Sequence, residues 1–446
     1  MKIADCQHVN ILQDALKKAI SLGADAVDLL FVEEKNVTVA TRMTKVESVI
    51  HSESAHIDLR AFIGNRSAAV SSNSLDELQN GTILERVVAA AKNSPEEKLK
   101  LRADSSELCK NFDNENMDLY DHQEISSEKL QADAQECESI ALQISGVTNS
   151  GGASAMHSFS RTILLKNDGF LGEYAKSISG ISFEALAEKD GELQQDYDYS
   201  NAVYYADRKT PREIATTAAN RAVQKLGSRK IKSCQVPVIF HKRVGRSLLK
   251  SLLSVLNGAQ VANGGCFLQD KIGQKIFCDD VSLFDNHDTM RGLRSCPFDV
   301  DGLECVNTNV ITAGVLNSFL FNVKYADKMG MRSTGNASGW DAIAPNNSSW
   351  SNGITSFDDL LRNVNHGLFV TDVLGRGLNV TTGNYSQGAS GFWIENGEIV
   401  HGVHEITIAG NFMDMFSHCV MGSDFEMESG FGSPTIFVEK MTVGGL

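Results

Sequence analysis

Apolar positions recur at helical spacing near the start of the chain: Ile11, Leu12, Ala15, Leu16, Ala19 and Ile20, with Gly23 as a natural stop. Residues 26–32 then read as a strand, and 37–71 as successive strands with a turn at Gly64-Asn65. A second helix starts after Ser74, with Leu75, Leu78, Leu84, Val87, Val88 and Ala91 on its apolar side. Polar, acidic residues 111–121 suggest a linker. A third helix follows Ser126, with Leu130, Ala134, Cys137, Ala141 and Ile144 inward, and residues 147–187 read as antiparallel strands turning at Asn167-Asp168-Gly169. Thr210-Pro211-Arg212-Glu213 is a helix start: Thr210 caps, Pro211 loses no needed N–H, and Glu213 completes a capping box. The order helix, strands, helix, repeated once, predicts two α+β lobes within 1–227.

The pattern changes near 228–235. Residues 1–230 hold 11 glycines and 231–446 hold 26, so the second half needs more turns and close backbone approaches. A strand at 236–240 precedes a leucine-rich helix (Leu248, Leu249, Leu252, Leu253, Leu256) that runs towards Asn257-Gly258. Residues 367–413 combine strand-like alternation with frequent glycine and a hairpin at Asn396-Gly397. The predicted fold class is therefore α+β: an N-terminal α+β region over 1–228, with sublobes 1–110 and 122–228, then a β-rich C-terminal domain over 233–446 with a mixed or barrel-like sheet and helices.

Charge and composition narrow the function. The formal net charge of −15 disfavours a nucleic-acid binder, which must offer a cationic face to phosphate. The first twenty residues are polar where a signal peptide would be apolar, and no run approaches the length of a membrane span, so a cytoplasmic protein is expected. Nine cysteines at irregular spacing, without Cys-x-x-Cys, fit reduced thiols that act mostly as small core residues.

Spacing alone yields no active site. His51 and His56 lie five apart in strand-like sequence and should face opposite sides. His401, His404 and Glu405 form a better set, yet in a strand the two imidazoles also face apart unless a turn at Gly402 intervenes. Gly375-Arg376-Gly377 and the glycines between 383 and 391 match neither a Walker pattern nor a dinucleotide fingerprint, so turns are their default role. His418-Cys419 is an adjacent pair whose side chains should diverge, in a segment that looks helical.

Several segments together resemble the TldD/PmbA family, and specifically its PmbA (TldE) branch. They are Ser247-Leu248-Leu249 with the leucine helix, Leu293-Arg294-Ser295-Cys296-Pro297-Phe298-Asp299, the stretch GFWIENGEIVHGVHEITIAG at 391–410, Pro434-Thr435, and Met441-Thr442-Val443-Gly444-Gly445. The resemblance implies a two-component cytoplasmic zinc metalloprotease system, also labelled modulator of DNA gyrase, which is linked to peptide-antibiotic maturation and antitoxin breakdown. TldD-type subunits carry His-Glu-x-x-x-His on the corresponding helix and a late cysteine. Here Lys250, Ser251 and Val255 stand at those three positions, and 424–434 contains no cysteine. The expected role is thus a partner subunit that holds no metal itself, a pseudoenzyme paired with a TldD-type protein that supplies the zinc and cleaves unfolded peptides. A homodimer is the expected state when alone. Arg376, Asn379, Tyr385, Phe392 and Trp393 are candidate peptide or partner contacts, with docking by strand pairing in the glycine-rich domain. The alternatives are a stand-alone metallopeptidase using His401, His404 and Glu405, or a gyrase-associated regulator.

Overall fold

The computed structural model describes residues 6–110, 114–375 and 377–446. After a helix over Cys6–Ser21, six strands form one antiparallel sheet. They are β1 (Ala26–Arg42), β2 (Lys45–Ile63), β3 (Arg66–Ser72), β4 (Val147–Lys166), β5 (Leu171–Lys189) and β6 (Glu192–Ala202), in the order β3-β2-β1-β4-β5-β6. The two lobes expected within 1–227 are the two helix-covered ends of this single sheet. β1 and β4 pair from Asp28–Lys166 to Thr41–Ala153, so each strand is long enough to run beneath both helix layers. At one end the helices Cys6–Ser21 and Thr82–Asn93 cover Leu29, Phe31, Ile57, Leu59 and Ile163. At the other, the helices Ser127–Ala141 and Pro211–Gln224 cover Val39, Ala155, Ile181 and Phe183. The capping box at Thr210 forms as its sequence implies.

The β1–β2 turn uses Met43 and Thr44, both at positive φ (50° and 62°), a region costly for residues with side chains. The buried carboxylate of Glu138 secures it by accepting both backbone N–H groups at 2.8 Å. The sequence pattern shows no glycine or asparagine there, which is why this turn was not legible in advance.

The second half contains β7 (Cys234–Phe240), β8 (Leu283–Asn286), β9 (Thr308–Thr312), β10 (Val315–Leu316), β11 (Asn347–Trp350), β12 (His366–Leu374), β13 (Asn384–Glu395), β14 (Glu398–Asn411), β15 (Cys419–Met421), β16 (Glu426–Glu428), β17 (Phe431–Ser433) and β18 (Ile436–Gly444). Strands β14, β13, β12, β7 and β18 pair in that order, and β14 pairs back onto β18 through Thr407–Gly444, Ile408–Val443 and Ala409–Thr442. The result is a closed five-stranded barrel. A second sheet, β10-β9-β8-β11-β17-β16, packs beside it. Closure consumes most of the strand edges that strand-pairing with a peptide would need. Segment 411–420 is a short helix, Phe412–Ser417, followed by β15, so Cys419 is a strand residue rather than a helical one.

The leucine helix spans Lys242–Val255 and ends before Asn257, which caps the next short helix. Its N-cap is His241, whose Nδ1 accepts from the Arg243 N–H at 3.1 Å. Burial, reinforced by Arg221 and Arg243, pushes that imidazole down to about 3, so it stays neutral and can accept. Leu248, Leu249, Leu252, Leu253, Val255 and Leu256 are all buried in the largest apolar cluster, between barrel and second sheet. Gly245 allows the helix to lie directly on β17: a Cβ there would meet Ser433 Oγ at 2.2 Å. No helix among the described residues is long and apolar enough to cross a membrane.

Leu252 is fully enclosed. Leu252→Asp should therefore cost at least about 3 kcal/mol, more than the cavity of an alanine alone, because it buries a carboxyl without a partner. The urea midpoint measures this, and an unchanged midpoint would show that the face is exposed.

Candidate functional site

The leucine helix carries Lys242, Arg243 and Arg246 in its first turns. Cations are unfavourable at a helix N-terminus, whose dipole end is positive. Other elements therefore supply the acceptors. Asp196 on β6 ion-pairs with Arg243 at 2.7 Å and with Lys225 at 2.7 Å, and its carboxylate is almost wholly enclosed. Burial alone would push that carboxyl up. The hydrogen bond and charge of Arg243, with Lys225, outweigh burial and hold it below the usual carboxylate range. Arg243 also donates to the carbonyl of Thr371 on β12 at 2.8 and 3.0 Å. One arginine thus ties the first sheet, the helix and the barrel together.

Lys242, Arg246 and Lys250 are four residues apart and share one helix face. That face looks at the β16–β17 hairpin. Glu426 ion-pairs with Lys242 at 2.5 Å, Arg246 at 3.5 Å and Lys209 at 3.8 Å. Burial raises the Glu426 carboxyl, but the Lys242 hydrogen bond and the surrounding cations bring it below its usual value. Glu428 behaves oppositely: burial raises it, and the Asn201 N–H at 3.1 Å and Ser429 hydroxyl offset this in part. Lys250 lies 4.7 Å from the Phe431 ring centroid, and Arg294 lies 5.0 Å from the same ring. Burial, then the charges of Arg246 and Arg294, pull the Lys250 ammonium below its usual range. Nη1 of Arg246 is buried and makes no hydrogen bond, although Glu426 is within ion-pair reach. The junction of the first sheet, the leucine helix and the β16–β17 hairpin is therefore rich in cations, with the Glu426 carboxyl held below its usual range and the Glu428 carboxyl raised above it.

Family models match almost end to end: PmbA/TldA metallopeptidase domain 1 over residues 27–94, the central domain over 120–226 and the C-terminal domain over 233–445. The chain belongs to the PmbA/TldD family. It is 29% identical to Metalloprotease PmbA of Escherichia coli O157:H7, over 98% of this chain and 96% of that protein. It is also 29% identical to a Metalloprotease PmbA homolog of Haemophilus influenzae, over 97% and 94%. Among solved structures, a candidate modulator of DNA gyrase from Bacteroides thetaiotaomicron superposes with TM-score 0.89 at 23% identity, with both chains covered in full. TldE from Thermococcus kodakarensis superposes with TM-score 0.84 at 18% identity, covering 98% of this chain and 100% of that one. The structural likenesses establish the fold.

The resemblance implies zinc ligands on this helix and from a cysteine late in the chain. The fold brings the helix and the late hairpin together here, at Lys250 and Phe431, but the residues do not fit the ion. Lys250 offers an ammonium that repels a dication. Ser251 donates its hydroxyl to the Ser247 carbonyl at 2.9 Å, and Val255 is buried. Among the described residues, no group of three or more His, Cys, Asp or Glu side chains is arranged to hold a metal.

The candidate contacts scatter. Arg376 lies outside the described residues. Asn379 is an exposed turn residue whose side chain accepts from the N–H groups of Thr381 and Thr382. Tyr385 is 1% exposed, packs on Phe412 and donates to Gln387 at 2.6 Å. It is a core residue and not a surface contact, because its strand position faces the barrel interior. Phe392 and Trp393 point to opposite faces of β13. Trp393 packs against the barrel core, whereas Phe392 joins His401, Ile399 and Val400 around a cavity of about 430 Å³. His404 and Glu405 sit together in a β-bulge opposite Ser390, with Glu405 at a φ of 52°. Lys230 binds Glu405 at 2.6 Å, while the His401 ring faces the Gly402 carbonyl at 3.0 Å. These three residues form no ligand set. His51 and His56 likewise stay apart, His56 facing Asp58 and Asn73.

Sequence reading found the helix and missed its acidic counterparts, since Glu426 and Asp196 come from distant strands. The four-residue spacing of Lys242, Arg246 and Lys250 was the available signal.

Asp196→Asn should cost about 3–5 kcal/mol, because it leaves Arg243 and Lys225 buried beside a neutral group. The sign of its pH dependence is fixed. A depressed folded-state carboxyl stabilises the protein above the unfolded value near 3.9, and that stabilisation is lost as pH falls through the lower folded value. The gap in urea midpoint between wild type and variant should be full at pH 6 and shrink below about pH 4. A gap independent of pH would refute the assignment.

Proposed function

We propose that this chain is a PmbA/TldE-like subunit that holds no catalytic metal and works with a homologous TldD-type subunit, which supplies zinc for the cleavage of unfolded peptides. The observation that carries this reading is Lys250 in the leucine helix, a cation where a metallopeptidase needs a neutral imidazole, flanked by Arg246 and Arg294. Without three ligands and a base, water cannot be activated at this helix. What this helix and its surroundings carry suits binding: cations such as Lys250 that attract peptide carbonyl or carboxylate oxygens, and a hairpin, Glu426–Ser433, that borders them. The role is therefore to shape and hold a peptide beside a partner's active centre, as one half of a heterodimer in the cytoplasm. Phe392, with exposed Ile399 and Val400, is the apolar surface proposed for contact with that partner. A direct nucleic-acid role is disfavoured by the net charge of −15.

The test compares hydrolysis of an unstructured peptide by this chain, by a TldD-type subunit and by the mixture, with and without chelator. The chain alone should be slower than the mixture on the order of a hundredfold or more, because it lacks the metal that lowers the pKa of water. The mixture should stop with chelator, and the isolated chain should carry no stoichiometric zinc by elemental analysis. Chelator-sensitive turnover by the chain alone at the mixture's rate would overturn the reading.

A further inference from the structure

Cys296 and Cys305 lie at the neck of a loop that the peptidase reading does not use. Their sulfurs are 3.3 Å apart. A disulfide bond is about 2.0 Å, so a modest rotation of two side chains would close it. Cys296 lines a cavity of about 300 Å³ between the first sheet and the second half of the chain, together with Tyr174, Lys176, Arg294, Asn336 and Asn346. Cys305 lies behind it and is 1% exposed. Lys176 Nζ reaches the carbonyl of Leu293 at 3.5 Å, and Arg294 Nε donates to the carbonyl of Pro345 at 2.9 Å. Both cations spend these hydrogen bonds on neutral carbonyls, which leaves their charge to act on the cavity.

This is the microenvironment of a reactive thiol: a reachable sulfur, positive charge beside it and a second thiol in contact. The hydrogen bond from Cys305 lowers the Cys296 thiol against the opposing effects of burial and of the Asp285 carboxyl, and Lys176 and Arg294 add to the lowering. Cys305, as the donor, is raised. The other thiols differ. Burial pushes Cys137 up to about 12 and raises Cys266. Cys278 and Cys419 form a second close pair at 3.6 Å, and Cys278 is lowered to about 6 by the Cys419 hydrogen bond, but the charge acting on it is that of Asp280, with no cation beside it, among the described residues, such as Lys176 and Arg294 supply to Cys296.

We propose that Cys296 and Cys305 are a redox-active dithiol that small peroxides oxidise to a disulfide, with Cys296 as the attacking thiolate and Cys305 as the resolving thiol. In the first step the Cys296 thiolate attacks a peroxide oxygen. An S–O bond forms, the O–O bond breaks, and the leaving hydroxide or alkoxide takes up a proton. In the second, the Cys305 sulfur attacks the sulfenic sulfur. The S–S bond forms, the S–O bond breaks, and water leaves with the Cys305 proton. The peroxide gains two electrons and the two thiols lose them.

The loop between the two cysteines clasps the halves of the molecule. Phe298 packs edge-on against Phe170, in the β4–β5 connection, and against Tyr174 of β5. Lys166 Nζ donates to the Asp301 carbonyl at 2.5 Å, and the Cys109 N–H donates to the Gly302 carbonyl at 2.9 Å. A disulfide at the neck would fix the shape of this clasp, so the redox state would bear on how the two halves meet around this cavity.

The test needs the full chain and hydrogen peroxide. Both cysteines fall in one tryptic peptide, residues 295–324. After brief exposure to peroxide and alkylation, that peptide should appear two hydrogens lighter and unalkylated, and dithiothreitol should restore it. Cys296 should react roughly tenfold or more faster than Cys137. In Cys305→Ser, a dimedone adduct should accumulate on Cys296, and Lys176→Gln should slow its formation several-fold. Oxidation of Cys278–Cys419 with the 295–324 peptide left reduced, or Cys296 reacting no faster than Cys137 in the wild-type protein, would overturn the proposal. The wild-type map depends on no variant folding.

Discussion

Asp196 is the group on which the arrangement of this protein turns. It sits at the edge strand of the first sheet, almost without solvent, and is compensated by Arg243 and Lys225. A buried carboxylate is tolerable when its charge is met and its lone pairs are taken. Meeting that demand fixes the N-terminal turn of the leucine helix against the first sheet, and the remaining Arg243 donors fix it against the barrel through Thr371. The interaction acts through geometry. It adds little net energy over an apolar contact, but it joins helix, sheet and barrel at one point.

With the helix placed, its next turns project Arg246 and Lys250 towards the β16–β17 hairpin. The approach of β17 follows from a backbone detail: Gly245 leaves room for Ser433, and Phe431 then lies beneath Lys250. The same scaffold that brings a helix and a late hairpin together could serve a metal centre if it carried histidines and a cysteine. Here it carries an ammonium, a guanidinium and an aromatic ring. The backbone arrangement stays that of the family, while the side chains on it differ.

The halves also meet through the loop that holds Phe298 and Asp301. Asp299 and Asp301 are buried and raised, chiefly by burial, and are satisfied by backbone N–H groups of Leu303, Ala337 and Val323. Backbone donors at fixed positions give such a loop a defined shape without a large apolar core. That shape holds the two sulfurs of Cys296 and Cys305 together.

The sequence by itself determined the local features. Helix starts at Ser74, Ser126 and Thr210 were legible because capping is a contact over three residues. The apolar face of the leucine helix, the turn at Asn167-Asp168-Gly169, the α+β class and the family were legible for the same reason: period and motif are local. The tertiary structure decided what depends on partners distant in the chain. Tyr385 became core because barrel closure encloses its face, and His404 and Glu405 entered a bulge because β13 offers one residue opposite two. The contact of the first sheet with the β16–β17 hairpin joins residues such as Asn201 and Glu428, 227 positions apart. Periodicity states which face of a strand or helix is buried, but not which distant side chain will lie against it. Strand order and barrel closure settle that, through pairings between segments that share no local signal.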